Sequence, residues 1–288
     1  MTIKELINQG FIMLKNENIE SPKVKARMVL EHTLKKTREY LIVYDNKEVT
    51  PQDRDEYVRN IKRLIQGEPI QYIMGMQEFM KLKVLVNKSV LIPRQDTEIL
   101  VEEVISIAKN IERPKILDLC TGSGAIAISI AKYVKEAKVV AVDISEEALE
   151  MAKKNAKFNG VSNSIEFIQS DMFKKLKNRK FDIIVSNPPY IPSMCIKELP
   201  KDVQKEPIIA LDGGRSGLDF YDIIAKEGFK YLNSGGFICL EIGYNQRRQV
   251  CGILDDAGIY TGTYCKKDLC ENDRVIVTKI FCSSQGSL

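Results

Sequence analysis

Histidine is almost missing from this sequence. Among the 288 residues there is one, His32, which lies in a predicted helix far along the chain from the motifs described below. A Ser-His-Asp triad and a metal site built from several histidines are therefore strongly disfavoured. We expect no metal, and any chemistry has to proceed without an imidazole. His32 itself is interpreted as a surface or packing residue.

The sequence also lacks paired cysteines and long apolar runs. Its seven cysteines are odd in number and include no Cys-x-x-Cys spacing. The N-terminal stretch is polar, without a secretory signal, and no apolar run approaches the length that spans a membrane. These absences predict reduced intracellular thiols rather than disulfides or a zinc site, a cytoplasmic location, and no membrane partner.

A strong net charge is absent as well. Lys and Arg number 43 against 39 Asp and Glu, which gives a net charge of +4. This balance is too mild to indicate a nucleic-acid partner. The chain is too long for one small core and contains no internal repeat, so we expect a large domain together with a smaller one.

Residues 1–75 carry the signals of a small helical bundle. Thr2 with Glu5 forms a capping box, and Ser21 and Thr50 each precede a proline as an N-cap residue. Apolar residues recur at helical spacing between these signals. We expect this bundle to be a substrate-recognition domain.

Residues 76–92 are predicted to form a β-hairpin linker. Apolar and polar residues alternate through most of this stretch, and the turn is placed at Asn87-Lys88. The helix start that follows has two interpretations. Either Arg94 and Glu98 reach toward a ligand cleft, or Asp96 caps a solvated helix.

Residues 93–288 are interpreted as an α/β domain in which strands and helices alternate. Such alternation predicts a doubly wound, mostly parallel sheet whose last strand turns back antiparallel. The seven predicted strands are Lys115–Leu119, Lys138–Val142, Ser164–Gln169, Phe181–Ser186, Gly236–Ile242, Ile259–Tyr264 and Arg274–Phe281. Helices are predicted near Ala125–Lys135, Ser145–Asn159, Asp219–Leu232 and Gln246–Ala257. Ser283–Leu288 is expected to be a frayed tail.

The strand Phe181–Ser186 ends in the motif Asn187-Pro188-Pro189-Tyr190. Asn187 offers an amide carbonyl and Pro188 a backbone carbonyl, and the stiff Pro-Pro turn holds these two acceptors in place. They are suited to gripping a planar NH2 group, for which Tyr190 adds an aromatic face. An ordinary proline turn is the alternative, since Asn-Pro alone is a weak signal.

A second motif, Asp118–Gly124, follows the first strand of the sheet and opens the next helix. Gly122 and Gly124 allow a ligand to approach the backbone and the chain to turn tightly. Asp143, at the end of the second strand, suits a carboxylate that binds both hydroxyls of an adenosine ribose. The glycine spacing alone does not separate NAD from other adenosine cofactors.

Asp118 distinguishes between these cofactors. A carboxylate just before the glycines would repel a pyrophosphate, but it suits the ammonium and sulfonium groups of S-adenosylmethionine. After the third strand, Asp171 can accept from the adenine amine, and Met172 either packs on the ring or belongs to the core. The predicted cofactor-binding residues are Asp118, Cys120, Thr121, Gly122, Ser123, Gly124, Asp143, Asp171, Met172 and Asn187.

In this order and spacing, the motifs resemble those of class I methyltransferases that modify an amide or exocyclic nitrogen. With the segments Gly67–Ile73, Leu91–Glu98, Glu206-Pro207, Gly213-Gly214 and Glu241–Gly243, nearly the whole chain resembles the peptide chain release factor glutamine methyltransferases, the HemK-type family. Cys120 stands where that family usually has glycine, Gln95 where it has proline, and Met172 where an aromatic is common. A cysteine fits if its backbone angle is ordinary, so we expect adjusted cofactor affinity rather than lost activity.

The resemblance implies an enzyme that uses S-adenosylmethionine to methylate a side-chain amide nitrogen. Its implied substrate is the glutamine in the Gly-Gly-Gln motif of class I peptide chain release factors, without direct binding of nucleic acid. Asn187, Pro188 and Tyr190 are the implied catalytic residues, and Asn187, Pro188, Pro189 and Tyr190 bind substrate. The alternatives are an amine methyltransferase acting on nucleic acid or on a ribosomal protein glutamine, an NAD-dependent oxidoreductase, and a non-catalytic adaptor.

Overall fold

The structure is a computed structural model that describes residues 1–281. The predicted tail, Ser283–Leu288, lies outside the described residues. The chain divides into two compact units, Met1–Met76 with Pro200–Lys205, and Gln77–Leu199 with the chain from Glu206 onward. Within residues 1–281, no helix combines the length and apolar composition needed to cross a lipid bilayer.

In the N-terminal unit the structure describes five α-helices. They are α1 (Ile3–Asn16), α2 (Pro22–Leu34), α3 (Arg38–Val43), α4 (Pro51–Ile65) and α5 (Ile70–Met74). The Thr2 hydroxyl accepts the Glu5 N–H, and the Glu5 carboxylate accepts the Thr2 N–H, which confirms the predicted capping box. Thr50 caps α4 by accepting the Asp53 N–H at 3.2 Å.

Ser21 precedes α2 but does not cap it as predicted. Its φ of 51° lies in the left-handed region, and its side chain makes no capping hydrogen bond within the described chain. An N-cap side chain reaches the first helical turn from an extended backbone, so the left-handed conformation removes that geometry. Pro22 still occupies the first turn, where its missing N–H has no cost.

The core of this unit joins three helices at one tight contact. Gly10 of α1 faces the ring of Tyr57 on α4, and a Cβ added at Gly10 would overlap the Tyr57 hydroxyl. That hydroxyl donates to the Ala26 carbonyl of α2 at 3.2 Å. Because both residues are shielded from water, the missing Cβ at Gly10 is what allows α1 and α4 to approach each other.

The hairpin is present, but its turn lies earlier than predicted. Strands β1 (Met76–Phe79) and β2 (Leu82–Leu85) form a two-stranded sheet around Met80 and Lys81, so the turn placed at Asn87-Lys88 was wrong. Met80 and Lys81 have φ values of 50° and 59°. A type I′ turn requires this conformation, and it is usually signalled by Asn or Gly. Neither residue occurs at this turn, which is why Asn87 attracted the prediction.

This turn is stabilised by contacts with distant segments rather than by residues that favour turns. The Met80 N–H donates to Glu98 Oε1 at 2.8 Å, and its carbonyl accepts from the Tyr133 hydroxyl at 2.6 Å. Glu98 therefore binds the hairpin rather than reaching toward a ligand. Arg94 likewise has a protein partner, the buried carboxylate of Glu206.

The larger unit contains the predicted doubly wound, mostly parallel sheet. Its strands are β3 (Lys115–Leu119), β4 (Lys138–Asp143), β5 (Ile165–Gln169), β6 (Phe181–Ser186), β7 (Leu232–Glu241), β8 (Tyr260–Lys267) and β9 (Asp273–Ile280). They are ordered β5-β4-β3-β6-β7-β9-β8, and β9 is antiparallel to both of its neighbours while the other pairs are parallel. This arrangement confirms both the parallel sheet and the antiparallel return.

Five helices flank this sheet in the described chain. They are α6 (Asp96–Ala108), α7 (Ala125–Tyr133), α8 (Glu146–Phe158), α9 (Asp219–Glu227) and α10 (Arg247–Asp256). Helix α7 packs against α6 and α8, and α9 packs against α10. The central strands are buried by these two groups of helices, which explains their nearly continuous apolar sequences.

The chain reverses its direction of travel across the sheet between β3 and β6. These two strands pair in parallel from Ile116 with Ile183 to Leu119 with Ser186. The Ser186 hydroxyl donates to the Leu119 carbonyl at 2.8 Å and ties their carboxyl ends together. Ligands of such sheets bind outside the carboxyl ends of the strands at this position. Both sequence motifs leave the sheet there.

Candidate active site

A cavity of about 160 Å³ lies at this edge of the sheet. Its wall includes many of the residues predicted for the cofactor or substrate, namely Cys120, Gly122, Asp143, Asp171, Met172, Asn187 and Pro189. The structure therefore brings together side chains from the ends of four strands. The remaining predicted residues support this wall from behind or point elsewhere.

The glycine loop combines one open position with one crowded position. Gly122 borders the cavity with a φ of 55°, and no atom lies within 4 Å of an added Cβ. Gly124 has a φ of 81°, and its added Cβ would lie 3.0 Å from the Ala152 Cβ of α8. Gly122 thus leaves room for a ligand against the backbone, whereas Gly124 allows α7 to pack against α8.

Thr121 and Ser123 stabilise the loop without lining the cavity. The Thr121 hydroxyl donates to Asp118 Oδ2 at 2.6 Å. The Ser123 carbonyl accepts from Asn155 Nδ2 at 2.9 Å. Asn155 also accepts the Leu85 N–H at 2.6 Å, so this buried amide joins the glycine loop to strand β2.

Asp118 is a buried carboxylate with one unpaired oxygen. Its side chain is fully shielded from water, and Oδ1 has no hydrogen-bond partner among the described residues. Burial raises the pKa of Asp118 to about 7, against the lowering effects of the Thr121 hydroxyl and of the Ala127 backbone N–H, which lies nearby without forming a hydrogen bond to Oδ1. A buried carboxylate with one oxygen that lacks a donor is suited to a cationic ligand group, because pairing would offset its desolvation.

Asp143 binds the glycine loop and also faces the cavity. Its Oδ2 accepts the Gly122 N–H at 2.8 Å, and its Oδ1 accepts the Ser145 N–H at 3.0 Å. Burial raises the pKa of this carboxyl, while these backbone donors lower it. Each carboxylate oxygen has a second acceptor direction, so two ligand hydroxyls can still be bound.

The backbone of Cys120 is not ordinary, contrary to the condition set for a cysteine in this loop. Its φ of 58° lies in the left-handed region, which explains why glycine suits the position. The Cys120 sulfur lies 3.8 Å from the sulfur of Met172, which also has a positive φ, 46°. Burial raises the pKa of the Cys120 thiol, so it stays protonated and unreactive at neutral pH.

Asp171 and Met172 both border the cavity. Asp171 is half-buried and forms an ion pair with Lys174 at 2.5 Å, which leaves other acceptor directions on its carboxylate. Met172 is 7% exposed and belongs to the core cluster under the sheet edge while also lining the cavity. The two interpretations of Met172, core packing and ligand contact, are therefore geometrically compatible.

The residues of the Asn-Pro-Pro-Tyr motif face two different parts of the protein. Asn187 and Pro189 line the cavity, and Asn187 Nδ2 donates to Thr97 Oγ1 at 3.2 Å. Tyr190 does not border the cavity. Its hydroxyl lies 3.5 Å from Glu241 Oε1, and its carbonyl accepts from Gln246 Nε2 at 3.0 Å.

The segment after the motif is held against it. An added Cβ at Gly213 would lie 2.7 Å from the Pro189 carbonyl oxygen, so only glycine fits there. Glu206 is buried, accepts the Ile92 N–H at 2.9 Å and pairs with Arg94. These contacts fix the segment that places Ile209 against the cavity.

Sequence reasoning assigned no site role to several residues at this location. Glu241 ends β7 beside the motif, and Thr97 lies in the first turn of α6; Ile209, Ala210 and Phe220 add apolar wall. Glu241 could have been found by the strand-end rule that identified Asp118 and Asp143. Thr97 carried no such signal, because its position depends on how α6 packs on the sheet.

Comparisons with known proteins show which proteins this chain resembles. Two family models match, the PrmC N-terminal domain over residues 5–75 and the methyltransferase small domain over residues 95–198. A release factor glutamine methyltransferase of Clostridium botulinum is 38% identical, over 96% of this chain and 98% of the relative. That of Clostridium acetobutylicum is 40% identical, with coverage of 96% and 98%.

Solved structures support the fold. A methyltransferase from Pyrococcus furiosus superimposes with a TM-score of 0.51 at 17% identity, covering 80% of this chain and 98% of that protein. At this level of identity the likeness concerns the fold alone.

Proposed function

The chain belongs to the release factor glutamine methyltransferases, and we propose that its substrate is the glutamine of the Gly-Gly-Gln motif in class I peptide chain release factors. The methyl group would go from S-adenosylmethionine to the side-chain amide nitrogen. A cytoplasmic location belongs to this proposal, because release factors act during translation. The observation that supports the proposed substrate is the position of Asn187 at the cavity wall, where its NH2 group donates a hydrogen bond to Thr97.

The residues at this edge of the sheet fit S-adenosylmethionine. The unpaired oxygen of Asp118 would pair with the cofactor's ammonium group, and Asp143 would bind its ribose hydroxyls. Asp171 and Met172 would contact the adenine. When bound, the cofactor supplies an electrophilic methyl group on a sulfonium.

The role of the Asn-Pro-Pro-Tyr motif is to hold a weak nucleophile in position. An amide nitrogen is poorly nucleophilic because its lone pair is delocalised into the carbonyl. Asn187 Oδ1 and the Pro188 carbonyl would each accept one amide hydrogen, which orients the NH2 group and stabilises positive charge developing on nitrogen. Alignment at the reacting distance supplies the rest of the rate enhancement.

Tyr190 serves this proposal as a hydrogen-bond donor to Glu241 rather than as a base. Burial raises the pKa of its hydroxyl well above the normal value, and the nearby Glu241 raises it further. The phenol therefore stays protonated at neutral pH. No general base is needed, because the nitrogen loses its proton after the methyl transfer.

Peptide mapping of a methylated release factor tests the proposal. Wild-type enzyme with S-adenosylmethionine should add one methyl to the glutamine of the Gly-Gly-Gln motif. Asn187→Ala should lower turnover by about 10²–10³-fold, as loss of a transition-state hydrogen-bonding group does, with little change in cofactor affinity. Asn110→Ala, in the exposed turn that follows α6, is the matched control and should behave as wild type.

Two results would contradict the proposal. One is a methyl group on a residue other than that glutamine, or on ribosomal RNA supplied in the same reaction. The other is equal modification of the release factor by the wild-type and Asn187→Ala enzymes.

A further inference from the structure

The Asn-Pro-Pro-Tyr motif lies beside one buried carboxylate, that of Glu241. This residue ends β7 and is 1% exposed. The Tyr190 hydroxyl lies 3.5 Å from its Oε1, and the β6–β7 register pairs Ser186 with Leu240, one residue before Asn187 and Glu241 on each strand. Its Oε2 has no hydrogen-bond partner among the described residues.

Thr97 is the hydrogen-bond partner of the Asn187 side chain. Its side chain is 4% exposed, and its oxygen accepts from Asn187 Nδ2 at 3.2 Å. Burial raises the pKa of Glu241 to about 7, whereas the Thr97 hydroxyl, the charge of Arg274 and the Tyr190 hydroxyl lower it and Asp96 raises it. The Thr97 hydroxyl is therefore near enough to Glu241 to lower the pKa of its carboxyl, while the Thr97 oxygen accepts from the Asn187 amide.

The direction of these hydrogen bonds determines which end of Asn187 faces the cavity. A hydroxyl has one hydrogen, and a carboxylate can only accept it. When Thr97 gives its hydrogen to Glu241, the Thr97 oxygen can only accept, so Asn187 has to turn its NH2 group toward Thr97. The Asn187 carbonyl oxygen is then the end left for a ligand.

The opposite orientation would be unproductive. Rotation of the terminal amide torsion by a half-turn exchanges the oxygen and nitrogen of an asparagine with little steric cost. In that orientation Asn187 would present its NH2 group to the NH2 group of a substrate glutamine, and two donors cannot hydrogen-bond to each other. Correct methyl transfer therefore needs something that selects one orientation.

We propose that Thr97 and Glu241 are positioning residues that hold the Asn187 amide with Oδ1 toward the substrate. The expected effect of these residues on catalysis rests on the proposed function. Tyr190 supports the arrangement from the other side, because its hydroxyl lies against the same carboxylate. The motif then acts as part of a buried network that extends from β6 to α6 and β7.

A comparison of Thr97→Val with Thr97→Ser tests this proposal. Valine has nearly the same shape but no hydroxyl, whereas serine keeps the hydroxyl. At pH 8, Thr97→Val should lower kcat for release factor methylation by about tenfold, the effect of about 1.4 kcal/mol on the barrier. Its affinity for S-adenosylmethionine and its thermal midpoint should stay near wild type, and Thr97→Ser should recover most of the activity.

Glu241→Gln tests the other end of the network. A glutamine amide can donate to Thr97 as well as accept from it, so it no longer imposes one direction. We expect kcat to fall severalfold, with the KM for the release factor changed less than kcat. Wild-type kcat in Thr97→Val would overturn the proposal, and wild-type kcat in Glu241→Gln would overturn the role of Glu241.

A measurement without substrate separates this inference from the proposed function. The side-chain NH2 signals of Asn187, assigned by nuclear magnetic resonance in the full chain, should be distinct and protected in wild type and Thr97→Ser. In Thr97→Val they should shift and lose protection from exchange. An enzyme that fails to methylate release factors but shows this pattern refutes the function and supports the network, whereas unchanged signals in Thr97→Val refute the network.

Discussion

Asp118 is the residue whose charge state we expect to affect the proposed cofactor site. It is buried, one oxygen is unpaired, and burial raises its pKa to about 7. To pair with an ammonium group, the carboxyl must first lose its proton, which costs free energy below that pKa. Binding of a cation at this position should therefore depend on pH across the neutral range.

We predict that the affinity for S-adenosylmethionine increases as the pH rises from 5.5 through about 7, because Asp118 becomes ionised. Calorimetric titrations at several pH values measure this slope. Asp118→Asn should bind more weakly at pH 7.5 and show a flatter pH dependence. An unchanged slope in the variant would mean that Asp118 does not pair with the ammonium group.

Cys120 illustrates how one backbone angle changes the expected effect of a substitution. Its left-handed conformation disfavours any side chain by roughly 1 kcal/mol relative to glycine. We predict that Cys120→Gly is more stable than Cys120→Ala by about 1 kcal/mol, because only glycine relieves this strain. Urea unfolding of the two variants measures the difference.

Cys251 provides the control for that comparison. It lies inside helix α10, where the backbone is helical and glycine is disfavoured by about 1 kcal/mol relative to alanine. Cys251→Gly should therefore be less stable than Cys251→Ala, the reverse of the order at Cys120. The same order at both positions would contradict the strain argument.

At the scale of elements, two helical glycines should respond in opposite ways to alanine. A Cβ at Gly10 would overlap the Tyr57 hydroxyl between α1 and α4, while one at Gly252 in α10 would meet no atom within 4 Å. We predict that Gly10→Ala destabilises the protein by about 1–3 kcal/mol through overpacking. Gly252→Ala should stabilise it by about 0.5–1 kcal/mol, because alanine restricts the unfolded chain.

Thermal and urea unfolding followed by circular dichroism measure both changes. If Gly10→Ala were as stable as wild type, α1 and α4 would not be in the close contact described. A destabilised Gly252→Ala would indicate that α10 is packed more tightly than its open surroundings imply.

The elements also show which sequence signals are reliable. Strands β3 and β6 match their predicted bounds, because a short apolar run between polar residues is typical of a buried parallel strand. The hairpin turn was misplaced because Met80 and Lys81 carry no turn signal, and Glu98 and Tyr133 hold them from distant parts of the sequence. Contacts of this kind are invisible in a local pattern.

At the scale of the whole molecule, the role of residues 1–75 as a substrate-recognition domain stays a prediction. This segment lies in a unit with its own hydrophobic core, and the larger unit has a separate core around the sheet. We predict that deleting residues 1–75 leaves binding of S-adenosylmethionine largely intact and abolishes methylation of an intact release factor.

Calorimetry with the cofactor and mass spectrometry of the release factor measure the two effects separately. A short peptide containing Gly-Gly-Gln serves as the control, since it should lose less activity than the whole protein. Full activity of the truncated enzyme on the intact release factor would mean that residues 1–75 have only a structural role.

The sequence by itself determined the class of fold and the place of the chemistry. Alternating apolar strands and helices specify a parallel sheet, and a carboxylate or amide at the end of a strand or directly after it has to lie at the carboxyl edge. Asp118, Asp143 and Asn187 were located in this way, because strand ends are local features of the chain. Composition also reduced the number of possible reaction types, since a single histidine leaves few routes to acid-base catalysis.

Only the tertiary structure decided how those residues are held. The conformation of Cys120, the turn at Met80, and the hydrogen bond from Asn187 to Thr97 depend on segments far apart in sequence. Their geometry follows from packing, which fixes backbone angles and hydrogen-bond directions that no local pattern encodes. Burial also raised the pKa of Asp118 and Glu241, because the folded chain removes both carboxyl groups from water.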